Sequence, residues 1–362
     1  MKKLIALLMA AAMIVCVLAG CGSTQAPAAT QAPAPAATEA PAQTEAVPAE
    51  AEAPVAEPVT LRIAYMPNWG ALWAVSTAQA KGYFAEENIT LELIPFEDGP
   101  TEIAAMESGN IDISYIGPGA HKLCSTGNAK VLLLQHLGDG DCIIGLNGLN
   151  KLEDLKGKKI GYAAGTSSET ILVTALESVG LTMNDVDALS MDSTALTTAA
   201  LSGSVDAVAA WSPFSLTILA QAADATDICS NVDFAKMVSP GSWVVNPAYA
   251  DAHEDILVRF VRAMYKGMDY AAAATTDDAV ATEVAGYIAE VISSDAETVL
   301  GQRYDGSWMT SAQVQTVLGN GELLRYYADQ QATFIANGAV DGATALAPAD
   351  FVLTGIMEAA AK

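Results

Sequence analysis

One order of elements runs twice along the chain, and it restricts the fold more than any other feature. From about Val59, Leu61, Ile63 and Tyr65 alternate with Arg62 and Ala64, which predicts a strand stopped by Met66-Pro67-Asn68-Trp69-Gly70. A helix to about Lys81, closed by Gly82, leads to a second strand over 89–94. After the turn Glu97-Asp98-Gly99-Pro100 come a helix with Ile103 and Met106 on one face, Gly109, and a third strand through Ile111, Ile113 and Tyr115 that ends at Gly117-Pro118-Gly119. About 95 residues later the order returns. Lys159 to Ala163 reads as a strand, Gly165-Thr166-Ser167-Ser168 as a loop, Ile171 to Val179 as a helix closed by Gly180, and Ala188 to Met191 as a strand. A helix from about Ala195, Gly203, and a strand over 205–210 ending at Trp211-Ser212-Pro213-Phe214 complete the copy.

A β-α-β-α-β order predicts an open parallel sheet, so two copies predict an α/β chain of two similar lobes. The match reaches single residues: Gly109-Asn110-Ile111-Asp112 corresponds to Gly203-Ser204-Val205-Asp206, and a proline turn follows each third strand, at Pro118 and Pro213. From about Ala248 the pattern is helical, with Ile256, Leu257, Phe260, Val261, Met264 and Met268 on one face. This tail is expected to cover the first lobe. The chain is expected to cross between lobes near Asp141 to Ile144 and to return near Ser242 to Val245, where Trp243 opens a short apolar strand. That assigns 59–142 with 243–362 to lobe 1 and 143–242 to lobe 2.

The segment before Val59 is of another kind. Lys2 and Lys3 precede an uncharged apolar run from Leu4 to Val17 and then small residues, the layout of an export signal over 1–20. That run, roughly 14 residues, is shorter than the ~20 that span a bilayer as a helix. Leu18-Ala19-Gly20-Cys21 resembles the lipobox of bacterial lipoproteins, which implies cleavage before Cys21 and acylation of its thiol. Residues 21–58 that follow are rich in Ala, Pro, Thr and Glu, with no aromatic and no basic residue. They are expected to form a disordered tether, stiffened by proline and extended by like charge.

Composition removes several function classes. The 362 residues are 52% apolar, enough for two cores, but 42 acidic residues face 17 basic ones. A formal charge of −25 argues against nucleic acid or an anionic membrane surface as partner. Cys124, Cys142 and Cys229 are widely spaced, without a CxxC, and read as buried free thiols; no metal and no cofactor is expected. With His121, His136 and His253 scattered, and no GxSxG or P-loop, no catalytic set is present and the reading is not an enzyme.

The segments Lys81-Gly82-Tyr83-Phe84-Ala85-Glu86-Glu87-Asn88-Ile89, Gly109 to Gly119, Asp154-Leu155-Lys156-Gly157-Lys158-Lys159-Ile160, Gly165 to Ser168, and Val205-Asp206 through Phe214 together resemble the nitrate/sulfonate/taurine group of ABC-importer binding proteins. Its relatives include binders of bicarbonate and of thiamine-precursor pyrimidines. The resemblance covers about 59–275. It implies a two-lobed periplasmic-binding-protein type II fold with two crossover segments, closing on a small molecule by a hinge. It also implies a permease and an ATPase as partners of a monomer anchored by lipid to the extracytoplasmic face of the cell membrane. A ligand-sensing lipoprotein would use the same clamp.

In open α/β sheets, ligands sit beyond the carboxyl ends of the strands, where helix N-termini point unpaired N–H groups. That rule selects Asn68, Trp69, Gly117, Pro118, Gly119 and Ala120 from the first lobe and Thr166, Ser167, Ser168, Trp211 and Phe214 from the second, with Trp243 on the return crossover. Trp69 and Trp211 are read as loop residues at equivalent positions on the two lobes, able to press on a solute from both sides. Thr166 with Glu169 three residues on also reads as a capping box that starts a helix. None of these loops contains Lys or Arg, and the basic groups beside them are His121 and Lys122. In the family resembled, many relatives carry His where Glu169 stands, and Glu97, Asp98, Asp139, Asp141 and Asp192 also fall near strand ends or the crossover. The resemblance implies a sulfonate, nitrate or taurine-like solute, and these acids point to the alternative, a pyrimidine or an amine.

Overall fold

The structure is a computed structural model that describes residues 56–234 and 237–362. The predicted signal, Cys21 and nearly all of the tether lie outside the described residues. Among the described residues the strands form two sheets. The first runs in the order β11-β4-β10-β3-β1-β2 and the second β7-β6-β8-β5-β9. In chain order the strands are β1 (Val59–Tyr65), β2 (Ile89–Pro95), β3 (Ile113–Ile116), β4 (Lys130–Gly138), β5 (Cys142–Gly145), β6 (Lys159–Tyr162), β7 (Asp187–Ser190), β8 (Ala207–Ala210), β9 (Thr226–Ser230), β10 (Pro240–Val245) and β11 (Gly306–Trp308).

The repeat is present in the pairing. β1 lies parallel between β2 and β3, with Ile63 opposite Ile113, and β6 lies parallel between β7 and β8, with Ile160 opposite Ala207. The aspartates matched in sequence do the same task in each sheet. Asp112 accepts from the Arg62 backbone N–H at 2.8 Å, and Asp206 from that of Lys159 at 2.9 Å. Each carboxylate thereby fixes the register of a third strand against a first one. Asp112 also receives the Arg62 guanidinium at 2.6 Å; Asp206 has a lysine in the corresponding place.

The chain passes from one sheet to the other between Gly138 and Cys142 and returns before Pro240. Cys142, expected in lobe 1, pairs with Ala210 in the second sheet, and Pro240 to Ser242, expected in lobe 2, already pair with β4 in the first. Antiparallel pairing extends further toward the crossovers than the parallel repeat suggested. Trp243 stands inside β10 rather than at its start, and it is fully buried.

The helical tail closes over the first sheet. Helix Glu254–Ala271 buries Leu257, Phe260, Val261, Met264 and Met268 in one core with Trp69, Trp73 and Leu72 of helix Trp69–Ala80. Gly267 makes this crossing possible, since a Cβ there would lie 2.4 Å from the Ala74 carbonyl oxygen. The short strand β11 then pairs antiparallel with β4 and brings the tail to the sheet edge nearest the crossovers. The second sheet has its own core on each face, around Ile143, Ile160, Ile171 and Leu172 on one side and Ile144, Leu196, Val208 and Ile218 on the other. Cys124, Cys142 and Cys229 are free and buried. No helix among the described residues is long and apolar enough to cross a membrane.

Candidate functional site

Three helices begin just beyond the carboxyl ends of strands, and each carries a side-chain cap. Asn68 Oδ1 accepts from Ala71 N–H at 2.8 Å, Asp98 Oδ1 from Thr101 N–H at 2.8 Å, and Thr166 Oγ1 from Ser168 N–H at 3.2 Å. These caps converge on one cavity between the two sheets. It encloses about 720 Å³ of atom-free space, its mouth included. Asn68, Trp69, Gly117, Pro118, Ala120, Thr166, Ser167 and Trp211, all expected at the site, are in its wall.

The structure leaves the other four expected residues out of that wall. Ser168 is fully buried, with its hydroxyl donating to the Ala209 carbonyl and accepting from Ala163 N–H, so it fastens the helix to β8. Phe214 packs edge-on against Trp211, ring centroids 5.6 Å apart, and supports it. Trp243 is held in the core by Nε1 donating to Gln135 Oε1 at 3.0 Å. Gly119 does not line the cavity but touches the opposite lobe beside it: a Cβ there would fall 2.0 Å from the Thr166 carbonyl carbon.

Three further expectations change. Trp69 and Trp211 are not equivalent, because Trp69 opens the helix after a first strand whereas Trp211 follows a third strand. Trp69 is also no loop residue: it is completely buried, and its backbone N–H donates to Gln302 Oε1 at 2.9 Å. The capping box at Thr166 is not made. Glu169 reaches past the cap to Gly165 N–H at 2.8 Å and meets Lys122 Nζ at 3.2 Å, which joins the lobes by an ion pair. His121 supplies no positive charge: burial pulls its pKa down to about 3, and Nδ1 donates to the Pro118 carbonyl.

Much of the remaining wall comes from places that sequence patterning did not single out as a site. The first crossover contributes Gly138, Gly140 and Asp141, the second Ser239, and the tail Gln302, Asp305 and Trp308. Tyr115 and His136 add an aromatic floor, their rings stacked at 6.0 Å, with Trp308 at 4.7 Å from His136. His136 is neutral, its pKa lowered to about 3 by burial. Asp141 is 5% exposed and accepts from the Ser167 hydroxyl at 2.6 Å; burial pushes its pKa up to about 6. Asp305 accepts from the Ser212 hydroxyl and is likewise raised to about 6, by burial. Asp139, on the crossover beside both, raises each further through its charge. Among the described residues no Lys or Arg lines the cavity. Among the described residues no group of three His, Cys, Asp or Glu is placed to hold a metal ion.

The chain is 24% identical over 300 residues to a Brucella abortus protein named as a binding protein, an alignment covering 83% of this chain and 92% of that one. It is 23% identical over 213 residues to the taurine-binding periplasmic protein of Escherichia coli, covering 57% and 65%. The fold matches the nitrate-binding protein NrtA of Synechocystis, with a TM-score of 0.69 at 11% identity over 84% of this chain and 89% of that one. It also matches the alkanesulfonate-binding protein SsuA of Xanthomonas axonopodis bound to MOPS, with 0.61 at 19% over 82% and 99%. An enzyme shares the fold too: the desulfurization enzyme DSZB gives 0.57 at 14% over 83% and 98%. The family model described as NMT1/THI5 like matches residues 72–277, and the chain belongs to that family.

Proposed function

We propose that this chain is an extracytoplasmic solute-binding protein that captures a small molecule between two lobes and delivers it to an ABC permease and its ATPase. The observation that carries the reading is the cavity itself. Helix N-termini from both sheets, two crossover segments and the tail all meet there, and the walls are aromatic. The lobes take the first and second sheets as their frames and exchange chain at 139–141 and before Pro240. Lys122 with Glu169, and Ser212 with Asp305, hold them together across the cleft. This is the closed arrangement, and a solute enters when these contacts part. Its differential contact with the closed form then sets the populations.

Binding rather than catalysis fits the groups present. The wall hydroxyls that meet an acid, Ser167 on Asp141 and Ser212 on Asp305, have no imidazole beside them, and the buried, neutral His136 faces the Tyr115 hydroxyl at 3.4 Å instead. Relatives named for taurine, nitrate and alkanesulfonate set the range of solutes to examine. Lys2, Lys3, the apolar run and Cys21 support export and a lipid anchor, with 21–58 as the tether. The test is a thermal-shift screen of the purified chain against sulfonates, nitrate, taurine, pyrimidines and small amines. A ligand at 100 times its Kd adds about 2.7 kcal/mol. Stabilisation by at least one such solute is expected, and turnover of a bound solute would contradict the reading.

A further inference from the structure

We infer that the solute is an organic cation, a protonated amine on a flat apolar body, seated between Trp211 and Trp308 with its charge toward Asp141 and Asp305. This inference rests on the solute-binding reading and specifies the ligand of that site.

Three independent observations support it. The first is the fate of the hydroxyls, the natural donors to an anion in a cavity without Lys or Arg. The Ser167 hydroxyl donates to Asp141 at 2.6 Å, that of Ser212 to Asp305, and that of Thr166 to the Ala163 carbonyl at 2.8 Å. These side-chain hydroxyls are thus engaged with protein acceptors, while the carboxylates keep unfilled lone pairs.

The second observation is uncompensated charge. Asp139 repels both Asp141 and Asp305, and among the described residues none of the three forms an ion pair. Lys122 is taken by Glu169 and Arg303 by Asp278 at 2.9 Å, while His121 and His136 are neutral. Asp98 is occupied as a helix cap, and burial keeps the thiol of Cys142, next to Asp141, protonated. Buried carboxylates are stable when paired, and here the partner has to come with the ligand.

The third is the wall. Trp69 and Trp308 lie 6.3 Å apart at 50°, and Trp211 stands across the cleft. Indole faces attract cations, which makes such a wall favourable to an ammonium or amidinium and neutral toward a sulfonate. His136, in this wall, is 4% exposed, and its Nδ1, which can accept from an ammonium, lacks a partner. Buried polar atoms left unpaired at a cavity are completed by what fills it.

The experiment is calorimetric titration of the purified chain with benzylamine, 4-aminomethylpyrimidine and choline, beside taurine, ethanesulfonate and nitrate, at pH 7.5 and pH 5. A cation should bind at pH 7.5 and lose tenfold or more in affinity at pH 5 as the carboxylates protonate. Asp141→Asn, whose amide oxygen still accepts from Ser167, should lower that affinity at least tenfold, and Asp305→Asn should do so with the hinge untouched. Binding of ethanesulfonate or nitrate without any cation would overturn the inference and leave the solute-binding reading standing. Cation binding unchanged in both variants would overturn it as well, and no binding of any probe would overturn both.

Discussion

Gly119 of the first lobe lies against the Thr166 carbonyl carbon of the second so closely that a Cβ on Gly119 would stand 2.0 Å from it. Only a residue without a side chain permits this approach, so the closed state depends on it. The fold of each lobe does not, because the contact joins separate sheets. Gly119→Val should therefore fold normally and stay open. Small-angle scattering of the ligand-free variant should give a larger radius of gyration than wild type, and an unchanged radius would refute the role.

Trp211 and Trp69 separate binding from stability. Trp211 is half-buried in the cleft and Phe214 supports it, so Trp211→Ala should weaken solute binding about tenfold or more with a small change in melting temperature. Trp69 is completely enclosed and packs on Trp308. Trp69→Ala should cost about 3 to 5 kcal/mol of stability. Denaturant titration of both variants checks the contrast, which fails if Trp211→Ala is the more destabilised.

The raised carboxyl pKa values make the empty protein less stable as pH rises. A folded-state pKa above the unfolded one means that the folded chain holds the proton longer, so stability falls from about pH 4 through pH 6, where Asp141 and Asp305 ionise. Asp141→Asn should raise ligand-free stability at pH 8 by about 1 to 3 kcal/mol and by little at pH 4. Thermal unfolding across that range measures it. A variant less stable than wild type at pH 8 would show that the carboxylate is paired in the folded protein.

Lys122 and Glu169 form their ion pair at 3.2 Å with both side chains partly exposed. Such pairs contribute up to about 1 kcal/mol and are screened by salt. Lys122→Met should weaken solute affinity by up to about fivefold at low ionic strength. At 1 M salt the two proteins should bind alike in calorimetry. A gap that persists there would mean that Lys122 acts otherwise than as a latch.

Cys21→Ser should abolish incorporation of an alkyne-labelled fatty acid and release the chain from the membrane fraction. Labelling that survives the substitution would remove Cys21 as anchor.

The repeat was legible because β1, β2, β3 and their counterparts are edged by Gly and Pro turns and alternate with amphipathic helices. β4 was not legible, since Lys130–Gly138 is apolar on both faces and has no period of two. β11 has three residues inside a helical tail, and pairing with β4 is what makes it a strand. The same fact hid Gln302, Asp305 and Trp308, which reach the cavity through that pairing. Asp141 stood out as an acid near a crossover, but its contact with Ser167 is long-range and leaves no local pattern. Trp243 followed a sound rule, an aromatic near a crossover, and failed because Gln135 offers its indole N–H a buried partner.

Native mass spectrometry of the wild-type chain beside Gly119→Val, each incubated with a small-molecule extract of the producing cells, tests capture between the lobes most directly. The account predicts one small molecule bound per chain on the wild type and none on the variant. No adduct on the wild type, or the same adduct on both, would contradict it.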